Sequence, residues 1–231
     1  MSRVLVQHAG SPEFPHDVVI VGGGGHVGLP LAIVFADRGA SVVIHDICVS
    51  AVDRVNSGEL PCVEPGAAPM LHAALAAGRI RPSADPAVVA CAEQVIMVIG
   101  TPVDEHLSPD PKAIPSAIAH CTPSFRDGQL LVLQSPVYPG VTALVERMVA
   151  DLGVDMMWPS VPSASPSTRR KKSCSTCLRS SLPRTDRWQK RAEDLFRRLT
   201  SSLVPLEPDE AELAKLFTTT WRYINSPQKS T

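Results

Sequence analysis

The sequence predicts an α/β fold, a doubly wound parallel sheet with helices on both faces, and three observations carry that reading. Apolar runs of strand length alternate with helix-length segments from residue 17 to about residue 152. One of the junctions is a glycine turn, Val18-Val-Ile-Val-Gly-Gly-Gly-Gly-His-Val-Gly28. One helix length later, Ser41-Val-Val-Ile-His-Asp46 gives a second strand that ends in an acid. Taken in order, 18–21 and 42–45 read as strands, with the apolar helix Leu31-Ala-Ile-Val-Phe-Ala36 between them. Residues 51–57 read as a helix ended by Gly58, and 69–77 as one ended by Gly78. A buried strand at 94–100, a short helix at 115–120, a strand at 130–134 and a helix at 141–152 complete the alternation. Pro30 falls in the first turns of its helix, where the missing N–H costs little.

The glycine turn has a chemical reading. A chain that passes close to a pyrophosphate must lack side chains there, and the helix behind it directs its free N–H groups and positive dipole end at the phosphates. In that reading Gly23 makes the tight turn, Gly25 lets the pyrophosphate approach and Gly28 lets the helix pack against the strand; His26 and Val27 lie between them along the cofactor. Asp46 stands 21 residues after Gly25, where a carboxylate can accept hydrogen bonds from ribose hydroxyls and repel a 2′-phosphate. The pattern therefore points to NAD rather than NADP as cofactor. In open α/β sheets, ligands sit at the carboxyl ends of the strands. Thr101-Pro102 and Ser135-Pro136 fall at two such ends, either facing the cofactor or forming ordinary turns.

Composition narrows the class. With 231 residues, 44% of them apolar, the chain can bury a real core. A formal net charge of −1 gives no electrostatic reason to expect nucleic acid or an anionic membrane as partner. No apolar run reaches the roughly 20 residues that span a bilayer, and the first 16 residues lack the order of a secretory signal. Six cysteines without a scaffold rhythm suit a reducing, cytoplasmic setting.

Beyond residue 155 the character changes. Residues 156–184 are rich in proline and serine, hold the basic run Arg169-Arg-Lys-Lys172 and the pair Cys174-Ser-Thr-Cys177, and show no helix or strand period. The cysteine pair lacks the second pair that a zinc site needs, so no metal is expected, and the basic run has no aromatic residues around it to stack bases. Helical spacing returns at 188–199 and 209–223. The expected division is an N-terminal extension (1–16), a dinucleotide-binding domain (17–155), an irregular linker (156–185), a helical segment that starts a central domain (186–224) and an aberrant tail (225–231).

Four segments in order, Gly28-Leu-Pro-Leu-Ala32 with the glycines before it, Val98-Ile-Gly-Thr-Pro-Val-Asp-Glu-His-Leu-Ser-Pro-Asp110, Ser135-Pro-Val-Tyr-Pro-Gly140 and Ala211-Glu-Leu-Ala-Lys-Leu-Phe217, resemble the UDP-glucose/GDP-mannose dehydrogenase family. The wording is most similar to the bacterial UDP-N-acetylmannosamine and UDP-glucose dehydrogenases. The resemblance implies a Rossmann-like sheet followed by the start of a helical dimerisation domain. It implies NAD-dependent oxidation of the C6 alcohol of a UDP-sugar to a carboxylate through a thioester on a catalytic cysteine. It also implies that Thr101, Pro102 and Ser135 lie beside the cofactor, that Glu64 lies near the cofactor or substrate pocket, and that Lys215 matches the family's catalytic lysine. A lysine there would stabilise an oxyanion by its charge. Members dimerise through the helix that begins near Asp209, so a homodimer is expected.

The chain departs from the family in places. Pro136 replaces a threonine, Thr219 stands where the motif has asparagine, and the Gly-Gly-x-Cys-x-x-x-Asp segment that carries the nucleophile would fall after residue 231. The family's Cys-Pro-Glu-Arg and Leu-Pro-Gln-Ile-Val segments belong where 156–183 loses its period. Rereading the codons from their third base restores them: Met156-Met-Trp-Pro159 then forces Asp-Val-Ala, residues 160–167 permit Phe-Cys-Pro-Glu-Arg-Ile-Ala-Glu, and 178–181 permit Pro-Gln-Ile-Val-Ser. The same rereading of 225–231 permits Phe-Ala-Thr-Glu-Ile-Asn. Two frameshifted stretches, 157–183 and 225–231, are therefore expected, in a polypeptide that lacks its nucleophile and is inactive by itself. The alternative is a non-catalytic NAD-binding or dimerising module.

Overall fold

The computed structural model describes residues 14–61, 66–100, 110, 112–134, 141–150, 155–157, 176–177, 186–199, 203–204, 217 and 221. Six strands, β1 (His16–Val21), β2 (Val42–His45), β3 (Ile80–Ser83), β4 (Ala92–Met97), β5 (Leu130–Leu133) and β6 (Asp155–Met157), form one sheet in the order β3-β2-β1-β4-β5-β6. Every neighbouring pair is parallel. This is the doubly wound order, whose direction reverses between β1 and β4, and the crevice at that reversal is where such folds bind ligands.

The alternation along each strand explains both covering layers, because successive side chains point to opposite faces. Val18, Ile20, Val42, Ile44, Ile80, Ile96, Leu130 and Val132 share one buried cluster. Helices α1 (Gly28–Asp37) and α3 (Ala67–Ala76) cover that face, with Val55 of α2 (Val49–Asn56) at its side. Val19, Val21, Val43, Val95, Met97, Leu131 and Leu133 point the other way. They meet Val89 of a 3₁₀ turn (Pro86–Cys91), Ile114 and Ile118 of α4 (Ala113–Cys121), and Val145 and Val149 of α5 (Val141–Val149). A strand buried on both faces reads as a continuous apolar run, which is how β1 and β5 were legible. Helix α1 is apolar almost all round because the sheet lies on one side and α3 on another. It ends where Gly39 turns with φ +90° and donates to the Ala36 carbonyl at 3.0 Å.

Three features differ from the expectation. Strand β3 is not among the expected elements; it has one buried residue and a proline, as an edge strand can. The strand expected at 94–100 is shifted to Ala92–Met97, and β6 adds a short sixth strand. Helix α6 (Asp186–Arg197) packs on the same body. Its Leu195 and Phe196, each 1% exposed, lie in the same buried cluster as α1 and β1. Arg191 of α6 also pairs with Glu93 at 2.5 Å and donates to the Gly128 carbonyl at 3.0 Å.

Candidate cofactor site

The glycine turn lies between β1 and α1, at the β1/β4 reversal, as the sequence predicts. Its five glycines have different reasons to be glycine. Gly22 has φ +75°, and a Cβ there would run into the Val98 carbonyl that follows β4. The left-handed residue of the turn is thus Gly22, whereas the sequence reading gave the tight turn to Gly23. A run of four glycines leaves that register open, because backbone dihedrals leave no mark in it. A Cβ on Gly23 would lie 2.7 Å from the Ile20 carbonyl and 2.8 Å from Ile44, and one on Gly24 would lie 2.9 Å from Asp46 Oδ2. A Cβ on Gly28 would lie 2.5 Å from Gly23 Cα, so Gly28 lets α1 seat against the turn. Among the described residues, Gly25 is the one glycine of the turn with no internal reason: its Cβ would meet nothing nearer than the Gly22 carbonyl at 3.7 Å. Gly25 itself is half-buried.

Helix α1 starts at the end of this turn without a side-chain cap and with no acidic residue in its first turn. Its positive end is therefore left for an anion from outside. His26 and Val27 are exposed just before it, Val27 by 41%.

Asp46 follows β2 directly. Its Oδ2 accepts the Gly24 N–H at 3.0 Å, and its Oδ1 accepts the Cys48 N–H at 3.0 Å. Each carboxylate oxygen has two lone pairs, so capacity for ribose hydroxyls remains. The carboxylate thus fixes the turn and the start of α2 together, a role that the spacing argument missed. The exposed Cys48 thiol lies beside it, held below the usual thiol range by hydrogen bonds involving the Ser50 hydroxyl and the Ala51 N–H. The buried Cys121 thiol is pushed the other way, up to about 11, by desolvation.

A second residue missed from the sequence is His45. Its carbonyl accepts the Gly22 N–H at 2.8 Å and the Gly23 N–H at 3.3 Å, and its fully buried ring stacks on His120 of α4. Burial pushes the His45 imidazole below its ordinary range. Glu64, Thr101, Pro102, Ser135 and Lys215 lie outside the described residues. Among the described residues no group of three His, Cys, Asp or Glu side chains could hold a metal, and no helix is long and apolar enough to cross a membrane.

The sequence pattern of the UDP-glucose/GDP-mannose dehydrogenase family, NAD binding domain, matches residues 17–158. The chain belongs to this family. It is 32% identical over 135 residues to UDP-N-acetyl-D-mannosamine dehydrogenase of Escherichia coli (strain K12), covering 58% of this chain and 31% of that protein. Identity is 30% over 141 residues to NDP-N-acetyl-D-galactosaminuronic acid dehydrogenase of Ralstonia nicotianae, covering 61% and 33%. Among solved structures, the UDP-D-ManNAc dehydrogenase from Pyrococcus horikoshii superposes with a TM-score of 0.77 at 23% identity, over 90% of this chain and 51% of that one. The GDP-mannose dehydrogenase from Pseudomonas aeruginosa gives 0.76 at 21%, over 90% and 50%. The chain spans about a third of the length of the named relatives and about half of the solved structures. The family match supplies NAD as the cofactor. The structure fits it: an uncapped helix start, a glycine that the fold does not itself require and a carboxylate one strand away.

Proposed function

We propose that this chain is the NAD-binding part of a nucleotide-sugar 6-dehydrogenase, which oxidises the C6 alcohol of a UDP-sugar to a uronate. The observation that carries the reading is Gly25, the glycine of the turn that the fold does not itself require, set at an uncapped helix start beside Asp46. When bound, NAD accepts the hydride. The chain's own residues hold it: the Gly25 backbone and the start of α1 take the pyrophosphate, with His26 and Val27 flanking it, while Gly23 and Gly28 keep the helix close. Asp46 takes the ribose hydroxyls and repels a 2′-phosphate. By resemblance, Thr101, Pro102 and Ser135 line the cofactor, Glu64 lies near the pocket, and Lys215 stabilises an oxyanion by charge.

Thioester chemistry needs a cysteine nucleophile, which the resemblance places beyond these 231 residues. The 231-residue polypeptide alone is therefore proposed to bind NAD without turnover, with 157–183 and 225–231 as frameshifted stretches and a cytoplasmic location. A second reading, a non-catalytic NAD-binding or dimerising module, is favoured by Phe217 and Trp221. These residues stand four apart and are 67% and 69% exposed, an apolar pair that a second copy could cover.

Mixing the chain with NAD and UDP-sugars, following absorbance of the reduced cofactor, and measuring NAD binding by calorimetry separates the outcomes. Binding without turnover is expected. Turnover would overturn the inactive reading, and absence of binding would overturn the NAD reading of the turn. Resequencing the coding region tests the frameshifts, which fail if the reread frame contains stop codons.

A further inference from the structure

His45 is placed where its charge state would reach the phosphate turn. It is the last residue of β2 and is 0% exposed. Its backbone carbonyl takes the N–H groups of both Gly22 and Gly23. Its Nδ1 lies 3.3 Å from the Ser83 carbonyl, which also accepts the Asp46 N–H at 3.2 Å. Asp46 in turn takes the Gly24 N–H. One strand end thus ties the imidazole, the ribose-facing carboxylate and three glycine N–H groups into a single hydrogen-bonded unit.

The tautomer of the neutral ring follows from its partner. A carbonyl can only accept, so Nδ1 carries the proton and Nε2 is the bare nitrogen. Nε2 is buried and has no hydrogen-bond partner among the described residues. Protonating it would create a buried N–H with no acceptor, on a cation whose ring lies parallel to His120 (centroids 6.2 Å apart, planes 9° from parallel). The charged groups facing the ring are His120 from α4, Asp85 before the 3₁₀ turn and Asp46 on its own strand end. The hydrogen bond to the Ser83 carbonyl and the two carboxylates favour the imidazolium, and His120 opposes it when charged. Burial outweighs them all and disfavours the charged form.

We infer that His45 is a positioning residue for the glycine turn and Asp46, and that its neutral imidazole is required for full NAD affinity. The inference rests on the proposed NAD reading of that turn. Acid forces a proton onto Nε2, the ring must leave its dry position to be solvated, and the strand end that anchors Gly22, Gly23 and Asp46 moves with it. Because the folded ring resists protonation, affinity is complete above the ordinary histidine range and declines as pH falls below it. The decline cannot exceed about tenfold per pH unit, the limit for one linked proton.

The test is calorimetric NAD binding to the full chain from pH 8 to pH 5.5, for the natural protein and for His45→Gln and His120→Gln. Thermal unfolding at pH 8 establishes that each variant is folded. A glutamine amide at position 45 can still donate to the Ser83 carbonyl but does not titrate. The natural chain is expected to lose affinity with acid, and His45→Gln is expected to flatten the profile. The His45 ring signal in the NMR spectrum of the natural chain is expected to titrate with the same midpoint, whatever the fate of the variant. A flat profile in the natural chain would overturn the inference, as would an unchanged slope in His45→Gln or flattening by His120→Gln alone. Absence of NAD binding at pH 8 would overturn the reading beneath it instead.

Discussion

Where the strands of the sheet begin, Arg191, Arg198 and Gln129 find partners on neighbouring elements; where they finish, a helix start is left uncapped. At the beginning, Arg191 holds Glu93 and the Gly128 carbonyl, and Arg198 reaches Asp17 at 3.6 Å. Gln129 Nε2 donates to the carbonyls of Val89 and Ala92 at 2.7 and 2.6 Å. These contacts close that end and dock α6 against it. At the finish, α1 starts uncapped, Gly25 has no internal reason to be glycine and Asp46 keeps spare lone pairs. Both ends are polar, so polarity alone does not mark a ligand site. What marks it is hydrogen-bonding capacity that the fold builds and then does not use.

That contrast can be broken from either side. The largest effect is expected where α6 enters the core: Phe196→Ala removes a ring that is 1% exposed and should cost about 3–5 kcal/mol in denaturant unfolding. A cost under about 1 kcal/mol would mean that α6 is not part of the sheet's core. Next comes Gly28→Ala, whose added carbon must push backbone from backbone; a loss of about 1–3 kcal/mol is expected, with NAD binding lost alongside. Glu93→Gln leaves Arg191 without its carboxylate at the closed end. About 1–2 kcal/mol of stability should go, with NAD affinity at pH 8 unchanged. Smallest in stability and sharpest in meaning is Gly25→Ala. Unfolding should stay within about 0.5 kcal/mol of the natural chain while NAD binding weakens by about tenfold or more. Should Gly25→Ala destabilise the fold as much as Gly28→Ala does, the distinction between glycines serving the fold and a glycine serving the ligand would fall.

Much of the open end was legible in the sequence because its requirements are local. A strand, a turn without side chains, an apolar helix and an acid at the next strand end follow one another within Val18 to Asp46. The places of Gly25, Gly28 and Asp46, in the turn, at the helix start and at the strand end, could be read from spacing alone. The closed end was not legible, because its partners come from distant stretches: Arg191 meets Glu93 and Gly128 across residues without any period. Amphipathic spacing showed that α6 is a helix but not which face of which layer it covers. Strand β3 gave no alternation to read, since a short edge strand with Pro82 buries only Ile80. His45 was missed for another reason. Within Val42-Val-Ile-His-Asp46 it looks like one more residue ahead of the acid, and only the sheet register reveals that its carbonyl holds two glycines.

The uncapped start of α1 has a consequence for how the protein meets its medium. A helix end that no side chain neutralises does not discriminate among small oxyanions, so under the proposed reading inorganic phosphate or sulfate is expected to compete with the dinucleotide's own phosphates. By mass action, a buffer anion at high concentration lowers the apparent affinity for the cofactor while protecting the apo fold against heat. The turn would then register the ionic composition around it before any cofactor arrives.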